Sequence, residues 1–215
     1  MTTEQKRDLR VAVVTGAHPF DVPGFHRLFR AVPGVDAYPQ DLDNFAADWG
    51  AVRAAYDVVL FYNMHMDDGA QGSAAAVIAG LGQPGQGIVV LHHAILAWPN
   101  SAEWSDLCGI TDRSFGYHMD QDLTVEIADH EHPITAGLDT WPAHDETYTM
   151  ASAGAGSHIL LTAEHPLSMK TIAWTRTYRD SRVFCFQCGH DDAAWRSGNF
   201  AEVLSRGIAW AAGRL

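Results

Sequence analysis

With 215 residues, 47% of them apolar and 19% charged, the chain has the size and composition of one globular domain with a sizeable core. A formal net charge of −12 argues against nucleic acid or an anionic membrane as partner, because both require clustered Lys and Arg. Three cysteines, an odd number, fit a reducing compartment better than a disulfide framework.

Met1 to Arg10 is polar and carries no apolar signal-peptide core. Val11 to Val14 is too short to span a membrane, so the expectation is a soluble, cytoplasmic protein. Arg10 to Gly16 reads as a first strand running into a glycine turn. Val22 to Val32 carries Phe25, Leu28 and Phe29 at helical spacing, and Val35 to Tyr38 reads as a short second strand. Asp57 to Tyr62 is a buried strand. Gly69 to Leu81 is an alanine-rich helix stopped by Gly82, Pro84 and Gly85. Ile88 to Leu91 is another strand, apolar throughout, as in a parallel sheet covered on both faces. Strands alternating with helices predict βαβ units and a mostly parallel sheet.

The second half changes character. Leu123–Ala128, Ile159–Thr162, Thr171–Tyr178 and Arg182–Gln187 read as strands joined by loops and turns. Trp98 to Met119 reads as a long loop whose Trp, Tyr, His and Asp suit a binding surface. Asn199 to Arg214 places Phe200, Val203, Leu204, Ile208 and Ala211 on one helical face, which packs on the sheet. No linker divides residues 1–215, so a single domain is expected.

Twelve histidines raise the expectation of a metal or acid/base site. The leading candidates are His92 and His93, directly after the apolar run Ile88–Leu91. Groups just past the carboxyl end of such a strand line the ligand crevice. His93, nearer the loop, is expected to face the ligand, with His92 beside it. Asp139 to Tyr148 holds Trp141, His144, Asp145, Glu146 and Tyr148; it is either a site or a solvated acidic turn. His118 follows Tyr117 in a third segment. His190 and Asp191 follow a strand as His92 does, and His18 follows the first strand. Asp129 to Ile134 reads as a structural turn, because His132 precedes a proline.

Cys185 and Cys188 have C-x-x-C spacing, but a separation of three in a strand sends the side chains to opposite faces. A zinc knuckle is therefore not expected, and Cys108 sits on no elbow. The chain has no P-loop, no G-x-S-x-G elbow and no G-x-G-x-x-G loop, so no nucleotide cofactor is expected.

Four segments together carry a family resemblance: Gly87–Trp98 (GIVVLHHAILAW), Gly116–His118, Asp129–Glu146 (DHEHPITAGLDTWPAHDE) with Tyr148, and Gly189–Gly213 (GHDDAAWRSGNFAEVLSRGIAWAAG). The chain resembles the ThuA-like family, related to trehalose-utilisation proteins. That resemblance implies a class I glutamine amidotransferase-like α/β fold, a flavodoxin-like three-layer sandwich. Relatives of that fold keep a nucleophilic cysteine at a strand-to-helix elbow; the equivalent stretch here is Leu91–Ala94, without cysteine. The resemblance therefore argues against amidotransferase chemistry and implies a role in the metabolism of disaccharides or keto sugars.

The leading expectation is an enzyme acting on a small-molecule carbohydrate by metal-assisted or His/Glu acid–base chemistry. His93, Glu146, His190 and Asp191 are the catalytic candidates. His18, His92, Trp98, Tyr117, Asp145 and Tyr148 would bind substrate. His93, His118 and Glu146 would hold a divalent metal, zinc first, leaving an open position. The alternative is a non-catalytic sugar-binding or accessory protein. A homo-oligomer is left open.

Overall fold

The computed structural model describes residues 7–47 and 52–215. The start of the polar segment Met1–Arg10 thus lies outside the described residues. Nine strands form one sheet: β1 (Leu9–Gly16), β2 (Val35–Asp41), β3 (Val58–Asn63), β4 (Gly87–Leu91), β5 (Gly116–Ile127), β6 (Trp141–Thr149), β7 (His158–Thr162), β8 (Thr171–Tyr178) and β9 (Ser181–Phe186). The helices are α1 (Val22–Ala31), α2 (Leu42–Ala47), α3 (Gly72–Ala79), α4 (Ala102–Cys108), α5 (Asp192–Trp195) and α6 (Gly198–Ala211). The strand order is β2-β1-β3-β4-β9-β8-β7-β5-β6.

The sheet corrects one expectation: it is mixed rather than mostly parallel. The run β2-β1-β3-β4-β9 is parallel throughout. The pairings β9-β8, β8-β7, β7-β5 and β5-β6 are antiparallel. The cause is connection length. Between β1 and β4 the strands are separated by helices long enough to cross over. Between β8 and β9 only Arg179 and Asp180 intervene, a two-residue hairpin that must reverse the chain. Arg179 takes the positive φ of 51° that such a turn requires.

Period-two alternation divides the core into two layers. Val58, Leu60 and Tyr62 pack on one side of the sheet with Phe25, Leu28 and Phe29 of α1 and with Val203, Leu204 and Ile208 of α6. Val59 and Phe61 face the other side, against Val77 and Ile78 of α3 and Trp104 of α4. Each fully buried Leu or Phe contributes about 1.5–3 kcal/mol. Helix α6 starts at the Ser197 cap, whose hydroxyl accepts from Phe200 N at 3.4 Å. It comes so close to β9 that a Cβ at Gly207 would lie 2.2 Å from the Phe184 ring.

Three other readings change. The segment Trp98–Met119 is not a loop throughout, because it contains α4, capped by Ser101, and the start of β5. The acidic stretch around Glu146 is strand β6 rather than a solvated turn. Helix α2 is an element the apolar pattern did not show. Asp129 does form a turn, with Oδ1 accepting from the main-chain N–H of Glu131 and His132. Among the described residues, no helix is long and apolar enough to cross a membrane.

One placement matters most for the site. Although β6 is the outermost strand, its middle lies across the carboxyl ends of β4 and β9. The Gln187 side-chain amide donates to Glu146 O at 3.0 Å, and Gly189 N donates to Asp145 Oδ2 at 2.6 Å.

Candidate active site

Strand β4 ends at Leu91, and the chain turns sharply into a short 3-10 turn over His92–Leu96. His92 takes a φ of +52°, a left-handed conformation that is rare and strained for a residue with a side chain. This is an elbow, and it buries both imidazoles: His92 is 0% and His93 1% exposed.

His92 Nδ1 lies 2.6 Å from Gln187 O. A carbonyl only accepts, so Nδ1–H donates to it and Nε2 points the other way. That nitrogen lies 2.8 Å from the Tyr148 hydroxyl and 3.1 Å from Glu146 Oε2. Tyr148 OH in turn donates to Glu146 Oε2 at 2.7 Å. Nε2 and Oε2 thus both lie within reach of the one hydroxyl proton. The contact between His92 Nε2 and Glu146 calls for a further proton or a cation. His190 Nδ1 approaches the same carboxylate oxygen at 3.3 Å.

The electrostatics follow from this crowding. Burial raises the Glu146 carboxyl, but the contacts from His190, His92 and Tyr148 outweigh it and hold the group well below the usual carboxylate range. His190 is raised, chiefly by Glu146. Burial pushes the Tyr148 hydroxyl far up, so it stays protonated. His93 and His18 are pushed down by burial and by neighbouring imidazoles.

The remaining candidates are placed as follows. His93 sits beside the trio rather than in it. Its Nε2 donates to Tyr62 O at 3.2 Å, and its ring lies 4.2 Å from the Tyr62 ring and 4.4 Å from His18. With Nε2 donating, His93 Nδ1 keeps a bare lone pair, buried and without a hydrogen-bond partner, as is His18 Nδ1. Asp145 is spent on the backbone: it accepts from the N–H of Glu146 (2.9 Å), Gly189 (2.6 Å) and His190 (3.0 Å). It locks β6 to the exit of β9, and burial raises its pKa. Asp191 caps α5 by accepting from Ala193 N at 2.8 Å. Trp98 is 1% exposed, packed between His65 and Trp104, with no face open to a sugar.

His118 stands apart. It lies directly across from Thr147, so it shares the face opposite to Glu146 and Tyr148, and its Nε2 is 3.4 Å from Thr149 Oγ1. The expected set His93, His118 and Glu146 is therefore not assembled. The donors that converge are His92, Glu146 and His190, all within 4.8 Å of one another; among the described residues no other group of three His, Cys, Asp or Glu does so. Tyr117 pairs with Tyr148 across the ribbon, on the site-facing side, and is 64% exposed at its rim.

Sequence reasoning missed Tyr62, whose hydroxyl donates to His190 O at 2.9 Å and also lies 3.1 Å from Gly189 O. Its place at the end of the apolar strand next to β4 was the available signal. The cysteines behave as expected: all three are free and buried, and Cys185 and Cys188 belong to opposite core layers.

A five-stranded parallel half-sheet with a His–Glu–His–Tyr cluster at the elbow defines an α/β protein of amidotransferase-like fold whose elbow carries imidazoles. Residues 42–211 match the family model described as ThuA, trehalose utilisation, and the chain belongs to that family. A ThuA-like protein from Parabacteroides merdae superposes with a TM-score of 0.74 at 20% identity, covering 96% of this chain and 90% of that one. A ThuA-like protein from Bacteroides uniformis gives 0.71 at 16% identity, covering 98% and 94%. A glutamine amidotransferase from Thermotoga maritima gives 0.57 at 10% identity, covering 96% and 99%. Comparison with curated proteins found no match.

Proposed function

We propose that this protein is an enzyme of carbohydrate metabolism that acts on a keto sugar or a keto derivative of a disaccharide, using a divalent metal held by His92 Nε2, Glu146 Oε2 and His190 Nδ1. The observation that carries the reading is the convergence of these three donors, with His92 Nε2 and Glu146 Oε2 in a contact that a cation would bridge. Two ligands at about 2.0–2.1 Å from a tetrahedral ion lie about 3.3 Å apart. The separations of Glu146 from His92 (3.1 Å) and from His190 (3.3 Å) agree with that, and all three donor atoms lie within 4.8 Å of one another. Gln187 O supplies the outer contact that orients the imidazole of a metal-binding histidine. Zinc suits a set of two nitrogens and one oxygen with a position left open.

The carbohydrate class is supported by the family, whose description is trehalose utilisation. A metal at this position would polarise a ketone and acidify the adjacent C–H bond. His93 Nδ1, with its bare lone pair, and the unpartnered His18 Nδ1 lie beside the cluster, and His93 Nδ1 would accept the proton. Tyr148 stays protonated and donates to Glu146, which holds the carboxylate in orientation. Tyr117, at the rim, offers an aromatic face to a pyranose ring. A 3-keto glycoside combines the features this site would use, a ketone and an acidic neighbouring carbon.

The test is metal analysis of protein purified without a His-tag, together with turnover of 3-keto glycosides before and after chelation. Stoichiometric zinc and chelator-sensitive turnover are expected. No stoichiometric metal, together with turnover unchanged by chelation, would leave acid–base chemistry alone.

A further inference from the structure

Arg113 is 3% exposed, a buried cation in a segment with no regular structure. Every donor of its guanidinium is used. Nε donates to Ser105 Oγ at 3.0 Å. Nη1 donates to the carbonyls of Ile95 (3.1 Å) and Ala97 (2.5 Å). Nη2 donates to those of Trp98 (2.6 Å), Pro99 (3.3 Å) and Ser101 (3.3 Å). Five main-chain carbonyls from a seven-residue stretch thus wrap one side chain, and that stretch begins inside the 3-10 turn started by His92.

The backbone of this stretch is strained at both ends. His92 and Trp98 have φ values of +52° and +47°, and neither is glycine. Such conformations cost about 1–3 kcal/mol each and persist only where the surroundings over-determine them. Strand β4 holds the near end of the elbow. At the far end, Trp98 N donates to His65 O at 2.7 Å, and its carbonyl is held by Arg113.

We propose that Arg113 is a positioning residue for the active site: it clamps the chain after the elbow and so keeps His92 Nε2 aimed at Glu146. Lysine cannot replace it, because a single ammonium does not reproduce a planar fork with five donors. The inference rests on the proposed metal site only in its zinc readout; its primary readout is the imidazole of His92.

The experiment uses the full-length protein with Arg113→Ala, Arg113→Lys and, as control, Arg206→Ala. Arg206 also donates to main-chain carbonyls, those of Ile134 and Ala136, but away from the elbow. Nitrogen-15 NMR reports the His92 Nδ1–H held by Gln187 O, and a competition titration reports zinc affinity. The proposal expects both Arg113 variants to lose the protected Nδ1–H signal and at least tenfold in zinc affinity. Millimolar guanidinium should restore both in Arg113→Ala, and Arg206→Ala should keep both whatever stability it loses. Should Arg113→Ala not fold, Arg113→Lys carries the test, with guanidinium supplied during refolding. A folded Arg113 variant with an unchanged His92 signal would overturn the proposal. So would equal loss in Arg206→Ala, which would make the effect one of general stability. Loss of the Nδ1–H signal in a protein that binds no zinc even as wild type would support Arg113 while removing the metal reading.

Discussion

His92 and Glu146 are 54 positions apart in the chain, yet Nε2 of one lies 3.1 Å from Oε2 of the other, both buried. Gln187 O accepts from His92 Nδ1–H, which aims Nε2 at the carboxylate. In the proposed reading a divalent cation bridges the two.

Removing either partner should remove the cation. His92→Ala and Glu146→Gln are each expected to abolish stoichiometric zinc binding in a competition titration. His118→Ala should leave affinity unchanged, because His118 lies on the opposite face of the ribbon. Zinc affinity lost in His118→Ala and retained in His92→Ala would reverse the assignment.

Asp145 should act on stability before chemistry. Its carboxylate accepts three main-chain N–H groups that tie β6 to the exit of β9. Charge-assisted bonds of this kind contribute about 1.5–3 kcal/mol each. Asp145→Asn keeps the shape but weakens the acceptors, and should lower the urea midpoint by an amount equivalent to about 2 kcal/mol. A midpoint within error of wild type would show that Asp145 is not a structural tie.

Acid should weaken the start of β3 through Asp57. Its carboxylate accepts from Arg7 at 2.7 and 2.6 Å and from Arg10 N at 2.9 Å. Burial raises its pKa, but these partners outweigh it, and the folded value is lowered. A lowered folded value means stability that is present above the unfolded pKa of about 3.9 and lost as pH falls through the folded one. Asp57→Asn should cost about 1 kcal/mol at pH 7, and the difference from wild type should vanish in strong acid. Urea titrations at a series of pH values measure it; a difference that persists in strong acid would contradict this account.

Gly207→Ala tests the packing of α6. A Cβ there would lie 2.2 Å from the Phe184 ring, at a helix position where glycine otherwise costs about 1 kcal/mol relative to alanine. Overpacking of this kind costs about 1–3 kcal/mol. Thermal unfolding should show net destabilisation, whereas a rise in Tm would mean that the helix shifts freely.

Much of the architecture was legible because it is written in local periodicity. The runs of β3 and β4 are apolar except for the terminal Asn63 of β3, and both strands are buried throughout. Phe200, Val203, Leu204 and Ile208 recur at helical spacing, and α6 buries them all. The antiparallel half was misread because apolar pattern does not encode strand direction. The two-residue connection Arg179–Asp180 does, through turn geometry.

The site was legible in its ingredients only. His92, His93, Glu146 and His190 all stood out by residue type and by position near strand ends. Their grouping did not, since His93 looked better placed than His92, and His118 looked equivalent to His190. Two tertiary facts reversed this. His92, with its left-handed φ, has its ring at the β9 exit, where Gln187 O accepts from Nδ1–H. The β5-β6 ribbon folds over the same exit with Glu146 and Tyr148 facing inward and His118 away. By itself, the sequence determined the layers, the elbow without a thiol and the supply of imidazoles and carboxylates, because these depend on residue type and short-range spacing. Only the tertiary structure decided which donors meet, because that depends on which strand ends are brought together and which face of each strand is turned inward.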